Sequence, residues 1–310
     1  MTRTIFRFIP LLDNPPRVNL KSYLAARRAT VDRALDRFLP NENARPATIH
    51  KAMRYTLFAG GKRLRPILCL AAAEACGGIT RDAIPFAAAM ECIHTYSLVH
   101  DDLPSMDNDD LRRGRPTCHK VFGDGIAVLA GDALLTIAFE IVTRAKTSRR
   151  YPMNEVVREI AVAAGSRKLI AGQVADLEGE GQNADRELVR YIHENKTAAI
   201  LTTSLRLGAM SANASAPKLK AITAFGRSLG LAFQVIDDIL DVTQSTEKLG
   251  KSAGKDVASK KATYPAVIGL EKSRGEAKRL TNAAQRALMG FGDEAMPLRD
   301  IASYLLVRDY

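Results

Sequence analysis

The chain has little of what marks several common functional classes. Its four cysteines, Cys69, Cys76, Cys92 and Cys118, show no C-x-x-C spacing, and three lie in apolar helical stretches. This argues against a disulfide framework or a zinc site and for buried thiols in a reducing, cytoplasmic setting. No run of about 18 apolar residues is uninterrupted. The best candidate, Gly125 to Val142, contains Asp132 and Glu140, so no stable membrane insertion is expected. The stretch Phe8 to Leu12 is too short, and too broken by Pro10, for a secretory leader. Residues 1–19 therefore read as a flexible arm with Pro15-Pro16 near its end, a targeting remnant being the alternative. Neither a P-loop (G-x-x-x-x-G-K-[ST]) nor a dinucleotide fingerprint (G-x-G-x-x-G) is present, and no nucleophile triad stands out.

Strand-like alternation is nearly missing, as are Pro/Gly/Ser-rich linkers and short repeats. Helical periodicity fills the space instead. Leu24, Val31, Leu35 and Phe38 share one face before Pro40, and further helical stretches are expected at about 47–59, 66–76, 81–102, 124–145, 153–176, 186–210, 217–242, 262–289 and 296–308. These predict an all-α fold in a single domain spanning residues 1–310.

Charge is lopsided: 45 Lys and Arg against 34 Asp and Glu, formally +11. The basic residues are scattered, which fits either a solvated basic surface or a cavity that collects small polyanions, and no nucleic-acid partner is expected.

Against that background two dense acidic runs stand out: Asp101-Asp102-Leu-Pro-Ser-Met-Asp107 and Asp237-Asp238-Ile-Leu-Asp241. Carboxylates crowded together repel, so a cation is the natural partner, and oxygen-only ligands suit Mg²⁺ bridging to a phosphate. On a helix, Gln234, Asp237, Asp238 and Asp241 fall within a sector of roughly 100°, opposite Phe225, Leu229, Ala232, Ile236 and Leu240. The first run differs, because Asp101 and Asp107 would diverge on a straight helix. Pro104 predicts a break there that turns Asp107 back. A third segment, Gly60-Gly61-Lys62-Arg63-Leu64-Arg65-Pro66, sets a flexible basic loop before an apolar helix, with Pro66 suited to the first helical position.

Together these segments, with the stretch His94 to Thr117, Gly172-Gln-Val-Ala-Asp-Leu177, Lys196-Thr197, Gly230 to Asp241, Gly250 to Asp256 and Lys261-Ala-Thr-Tyr-Pro265, resemble the trans-type (head-to-tail) isoprenyl diphosphate synthases. The resemblance implies an antiparallel helical bundle around a deep central cavity, a homodimer, and isoprenyl diphosphates as substrates. It implies three Mg²⁺ ions held chiefly by Asp101, Asp107 and Asp237, with Asp102 and Asp241 in support. Gly61, Lys62, Arg65, His94 and Arg113 would surround the isopentenyl diphosphate. Arg112, Lys196, Lys251 and Lys261 would hold the allylic diphosphate, while Thr197 and Gln234 face the developing cation. In this family the residues four and five places before the first motif, here Ser97 and Tyr96, limit product length. The bulky Tyr96, with the two-residue insertion in the motif, resembles bacterial farnesyl diphosphate synthases and leads to a fifteen-carbon expectation. The alternative is a twenty-carbon geranylgeranyl product, and a more distant one a non-catalytic subunit of a heteromeric synthase.

Overall fold

The computed structural model describes residues 19–182, 184–243 and 262–307. Its elements, in order, are α1 (Leu20–Phe38), α2 (Ala47–Leu57), α3 (Leu64–Ala75), α4 (Thr80–Asp101), a short β1 (Leu111–Arg112) and β2 (Arg115–Pro116), α5 (Cys118–Phe122) and α6 (Asp124–Thr143). There follow α7 (Met153–Ala164), α8 (Leu169–Gly179), α9 (Arg186–Ile192), a π turn (His193–Ala198), α10 (Ala199–Ser211), α11 (Ala216–Thr243), α12 (Tyr264–Ile268), α13 (Leu270–Ala287), a 3₁₀ turn (Asp293–Ala295) and α14 (Met296–Val307). The all-α expectation holds. The two residue pairs of β1–β2 are the sole ladder among the described residues, and only close a hairpin.

Three expected helices are not continuous. The stretch 153–176 breaks between α7 and α8, where Gly165 is extended and caps α7. The stretch 262–289 breaks at Gly269, whose φ of 83° ends α12 and starts α13. Between α9 and α10 the helix widens into the π turn. Pro66 is also not the first residue of α3 but its third, since the helix already begins at Leu64. It still falls in the first turn, where its missing N–H costs nothing.

Apolar faces pack into three contiguous clusters. One joins α1, α2, α4, α6 and α7 through Leu35, Leu57, Phe86, Ile93, Leu134 and Ile160. A second joins α3, α10, α11 and α14, and a third gathers α9, α11, α12 and α13. Helix α3 is buried on nearly all sides, so its neighbours must come close. At Gly208 of α10 a Cβ would stand 1.9 Å from the Cys69 carbonyl oxygen of α3. All four cysteines are free thiols, and burial pushes those of Cys92 and Cys118 up to about 12. Helix α6 is long and apolar enough to cross a membrane by length and composition alone. Here its Ala130, Leu134, Ala138 and Ile141 lie in the core, among the residues that α4 contributes.

The basic loop is held from beneath by Arg63, which takes a left-handed conformation with φ of 52° at the start of α3. Its guanidinium is only 3% exposed and donates to Asp32 Oδ1 at 2.8 Å, Glu91 Oε1 at 2.9 Å and the Leu57 carbonyl at 2.7 Å. One side chain thus ties α1, α2 and α4 to the loop. Glu91, 1% exposed, has Arg63 as its ion-pair partner, and breaking a buried pair from one side strands the other charge. Arg63→Ala is expected to lower unfolding free energy by about 3–5 kcal/mol, read from the urea midpoint. A loss below about 1 kcal/mol, the range of an exposed pair, would contradict the anchor.

Candidate active site

The first acidic run sits where α4 ends. Asp101 is the last residue of the helix and Asp102 caps it. Beyond it the backbone folds back as the Pro104 break predicts. Asp107 N–H donates to the Asp101 carbonyl at 2.9 Å, Asn108 N–H to Leu103 O at 3.1 Å, and Asp109 N–H to Asp102 O at 3.2 Å. This returns Asp107 to Asp101. The hairpin β1–β2 then turns through Arg113 and Gly114, both at positive φ, the conformation a two-residue hairpin requires. It sends Arg112 back to Asp102, with Nε donating to Oδ1 at 2.6 Å, and to Asp109 Oδ2 at 3.4 Å. Burial raises the Asp102 pKa and Arg112 counters it. The carboxylate of Asp102 is therefore engaged by Arg112.

Arg113 turns the other way and donates to the Gly60 carbonyl. A Cβ at Gly61 would stand 2.5 Å from that guanidinium, so the glycine is a saddle for Arg113. Arg65, Arg113 and His94 converge from α3, the hairpin and α4. Burial lowers Arg65 to about 10, with Arg113 pushing the same way and Glu91 and Asp237 opposing. Burial, Arg65, Arg113 and Arg112 hold the His94 pKa far below its usual range, which makes its imidazole a neutral hydrogen-bonding group at pH 7. Lys62 is exposed at the rim of the loop.

Across from Asp101 lies a layer with residues to which the sequence alone assigned no role. Gln173 of α8 donates to Asp101 Oδ1 at 2.7 Å. Asp176, one turn later, accepts from Lys196 Nζ at 2.7 Å, and Lys196 is 4.0 Å from Asp101. Lys196 and Thr197 ride on the π turn, a device that inserts one extra residue and re-aims side chains. Two glycines let its neighbours close on it. A Cβ at Gly172 of α8 would lie 2.2 Å from the Lys196 backbone nitrogen, and one at Gly230 of α11 would lie 2.5 Å from Ala198 Cα. Gln234 follows Gly230 by one helical turn, so it leaves α11 beside that crossing.

On α11, Asp237 is half-buried while Asp238 and Asp241 are buried. Asp238 serves a different purpose from its neighbours: its Oδ2 accepts the Tyr264 backbone N–H at 2.9 Å and lies 3.4 Å from His193 Nε2. His193 stacks on the Tyr264 ring at 5.3 Å, and burial holds its pKa down at about 4. Asp238, His193 and Tyr264 together clasp α11, the π turn and α12. A lone histidine between Ile192 and Glu194 gave no signal of this in the sequence. Gln173 and Asp176 did leave one, as an i, i+3 polar pair within an apolar stretch. Lys251 and Lys261 lie outside the described residues.

Ser97 stands one helical turn before Asp101 on the same face of α4, its Oγ donating to the His94 carbonyl at 2.8 Å. Tyr96 does not share that face. It is buried, its hydroxyl donates to the Ala164 carbonyl of α7 at 3.5 Å, and its ring meets the edge of His100 at 5.8 Å.

Among the described residues no three His, Cys, Asp or Glu side chains form a ready-made metal cage. The donors are carboxylates on separate elements. This set suits a hard ion that keeps water and shares oxygens with a phosphate, and does not suit zinc.

A family model described as Polyprenyl synthetase matches residues 46–289. A chloroplastic geranylgeranyl pyrophosphate synthase of Catharanthus roseus is 50% identical over 295 residues, covering 94% of this chain and 82% of the relative. Large subunit 1 of the chloroplastic heterodimeric geranylgeranyl pyrophosphate synthase of Arabidopsis thaliana is 49% identical over 301 residues, 95% of this chain and 81% of the relative. Among solved structures, the apo FPP/GFPP synthase of Zymomonas mobilis superposes with a TM-score of 0.83 at 37% identity, covering 93% of this chain and 99% of that one.

The contact at Gly172 yields a direct test. Gly172→Ala is expected to push α8 off the π turn, loosening the Gln173–Asp101 and Asp176–Lys196 contacts, and to cut turnover at least tenfold in a folded protein. Turnover within twofold of the parent, with an unchanged circular dichroism spectrum, would show that the close approach is dispensable.

Proposed function

We propose that the chain, which belongs to the polyprenyl synthetase family, is a prenyltransferase that condenses isopentenyl diphosphate with allylic diphosphates up to a twenty-carbon product. The fifteen-carbon expectation drawn from Tyr96 has less behind it. The two plant relatives are geranylgeranyl pyrophosphate synthases by name, whereas the structural neighbour is an FPP/GFPP synthase at lower identity. The observation that carries the reading is local. Tyr96 is committed to α7, and the side chain beneath Asp101 on the site face is the small Ser97.

In this reading Asp101, Asp107, Asp237 and Asp241 hold Mg²⁺, on which the family in general depends. The ion supplies charge neutralisation to the departing allylic diphosphate. The three ions are those that the family resemblance implies, and Asp102 acts through Arg112. Lys196 is oriented by Asp176 and adds positive charge where the C–O bond breaks. By the family resemblance Arg112, Lys251 and Lys261 are further ligands of that diphosphate. Thr197 and Gln234 turn oxygens toward the allylic cation, and the buried walls keep water from it. Gly61, Lys62, Arg65, Arg113 and neutral His94 bind the second diphosphate, so that its double bond attacks at close range, and loss of a proton to the departed diphosphate completes the product.

A second copy of the chain is the partner that fits the surface. Val128 and Leu129 of α6 and Ile170, Val174 and Leu177 of α8 are exposed, Leu129 by 55%. Both helices border the last turn of α4, through His100 on Val128 O and Gln173 on Asp101. Exposed apolar groups in such number favour an interface. Sedimentation returning two chains per particle supports this, and a single chain at micromolar concentration contradicts it. The free thiols support a reducing compartment such as the cytoplasm.

The experiment is a product assay with Mg²⁺, isopentenyl diphosphate and dimethylallyl, geranyl or farnesyl diphosphate, the alcohols being sized after dephosphorylation. A dominant twenty-carbon product is expected, shifting to fifteen carbons in Ser97→Phe. A fifteen-carbon product from the parent chain, or a Ser97→Phe spectrum identical to it, would overturn the length assignment. No condensation with any starter would favour the non-catalytic subunit.

A further inference from the structure

Helix α10 has two faces. Beyond its N-terminal end, Lys196 and Thr197 serve the acidic site. On its other side lies a separate cleft of about 1120 Å³, floored by Ala199, Thr202, Thr203 and Arg206, and walled by α7 on one flank and by α11 and α13 on the other. The acidic runs do not line it.

The cleft is rich in cations. Arg206 is spoken for by a bidentate pair with Glu159 at 2.6 and 3.0 Å and by Thr223, Arg190 by Glu194 at 2.8 Å, and Arg279 by Glu276. Arg158, Arg167 and Arg227 also line it, and among the described residues their guanidiniums have no ion-pair or hydrogen-bond partner. Lys168 joins them, its Nζ donating to Asn195 Oδ1 at 3.1 Å. Glu155 is the remaining lining carboxylate without an ion pair. Thr202 in the floor is 7% exposed, and its Oγ1 has no hydrogen-bond partner. Guanidiniums gathered in a concave site repel until an anion arrives, and their planar forks match phosphate oxygens in pairs. Beside them Val162, Leu231 and Leu280 offer an apolar strip.

We propose that this cleft is a second, non-catalytic binding site for a diphosphate group, free or carrying a hydrocarbon chain, held by Arg158, Arg167 and Arg227. Its occupant touches the back of the π turn. Glu194 and Ala198 line the cleft, and the Lys168–Asn195 bond ends one residue before Lys196. Binding there therefore bears on the orientation of Lys196 and on turnover. That second half rests on the prenyltransferase reading; the binding itself does not.

The test is calorimetric titration of the full chain with inorganic diphosphate, without divalent ions, beside the exposed double variant Arg158→Ser/Arg227→Ser. Two classes of site are expected in the parent. In the variant one of them is weakened at least tenfold, with kcat/KM unchanged. Superimposable titrations would overturn the site. Because two arginines are replaced at once, Arg167→Ser alone is the check: it must weaken the same class, and an unaltered titration again counts against the site. A non-reactive isoprenyl thiodiphosphate separates the sources: tighter binding than inorganic diphosphate in the parent but not in the variant assigns the hydrocarbon to the apolar strip, and equal binding assigns the head group alone. If diphosphate changes turnover equally in parent and variant although the variant has lost the binding, the coupling to Lys196 is overturned and the assignment of the binding site is upheld.

Discussion

Carboxylates cannot be brought to one place without something to hold them against their own repulsion, and that constraint organises this molecule. Asp101, Asp102, Asp107 and Asp109 occupy one helix end and its turn, and Asp237 and Asp241 lie on α11. The protein meets part of the cost with its own groups. Gln173 donates to Asp101, Arg112 pairs with Asp102 and Asp109, and Lys196 stands 4.0 Å from Asp101 while bonded to Asp176. In the proposed reading an incoming cation meets the rest. Those helpers are placed by packing elsewhere: Gln173 and Lys196 by the α8 approach at Gly172, and Arg112 by the hairpin at Arg113-Gly114.

Much of this was legible in the sequence because the signals were local. Helical periodicity and its Gly and Pro punctuation set most elements to within a few residues. The Pro104 break foretold the return of Asp107, since a six-residue spacing cannot share a helix face. What was not legible depends on contacts distant in the chain. The π turn at His193–Ala198 carries no composition of its own and arises where α8 and α11 press on it from both sides. The breaks at Gly165 and Gly269 looked like tolerated helical glycines until their dihedral angles were known. Asp238 looked like one more carboxylate of the stripe, yet burial against His193 and Tyr264 makes it a clasp.

Product length illustrates the same limit. On an ideal wheel Tyr96 already stood about 140° from Asp101, and the structure shows where that direction leads: to the C-terminal carbonyl of α7, away from the face that Ser97 and Asp101 share. A residue's position in a motif thus does not by itself say which face of the helix it occupies. The similarity to plant geranylgeranyl pyrophosphate synthases points the same way.

The central claim, that the acidic runs form an incomplete cation site which a diphosphate completes, is tested most directly by Mg²⁺ titration of the full chain with and without inorganic diphosphate, beside Asp101→Ala and Asp237→Ala. The account predicts Mg²⁺ binding that tightens at least tenfold when diphosphate is present, with that gain lost in both variants. Equally tight Mg²⁺ binding without diphosphate, or a gain that survives removal of either carboxylate, would contradict it.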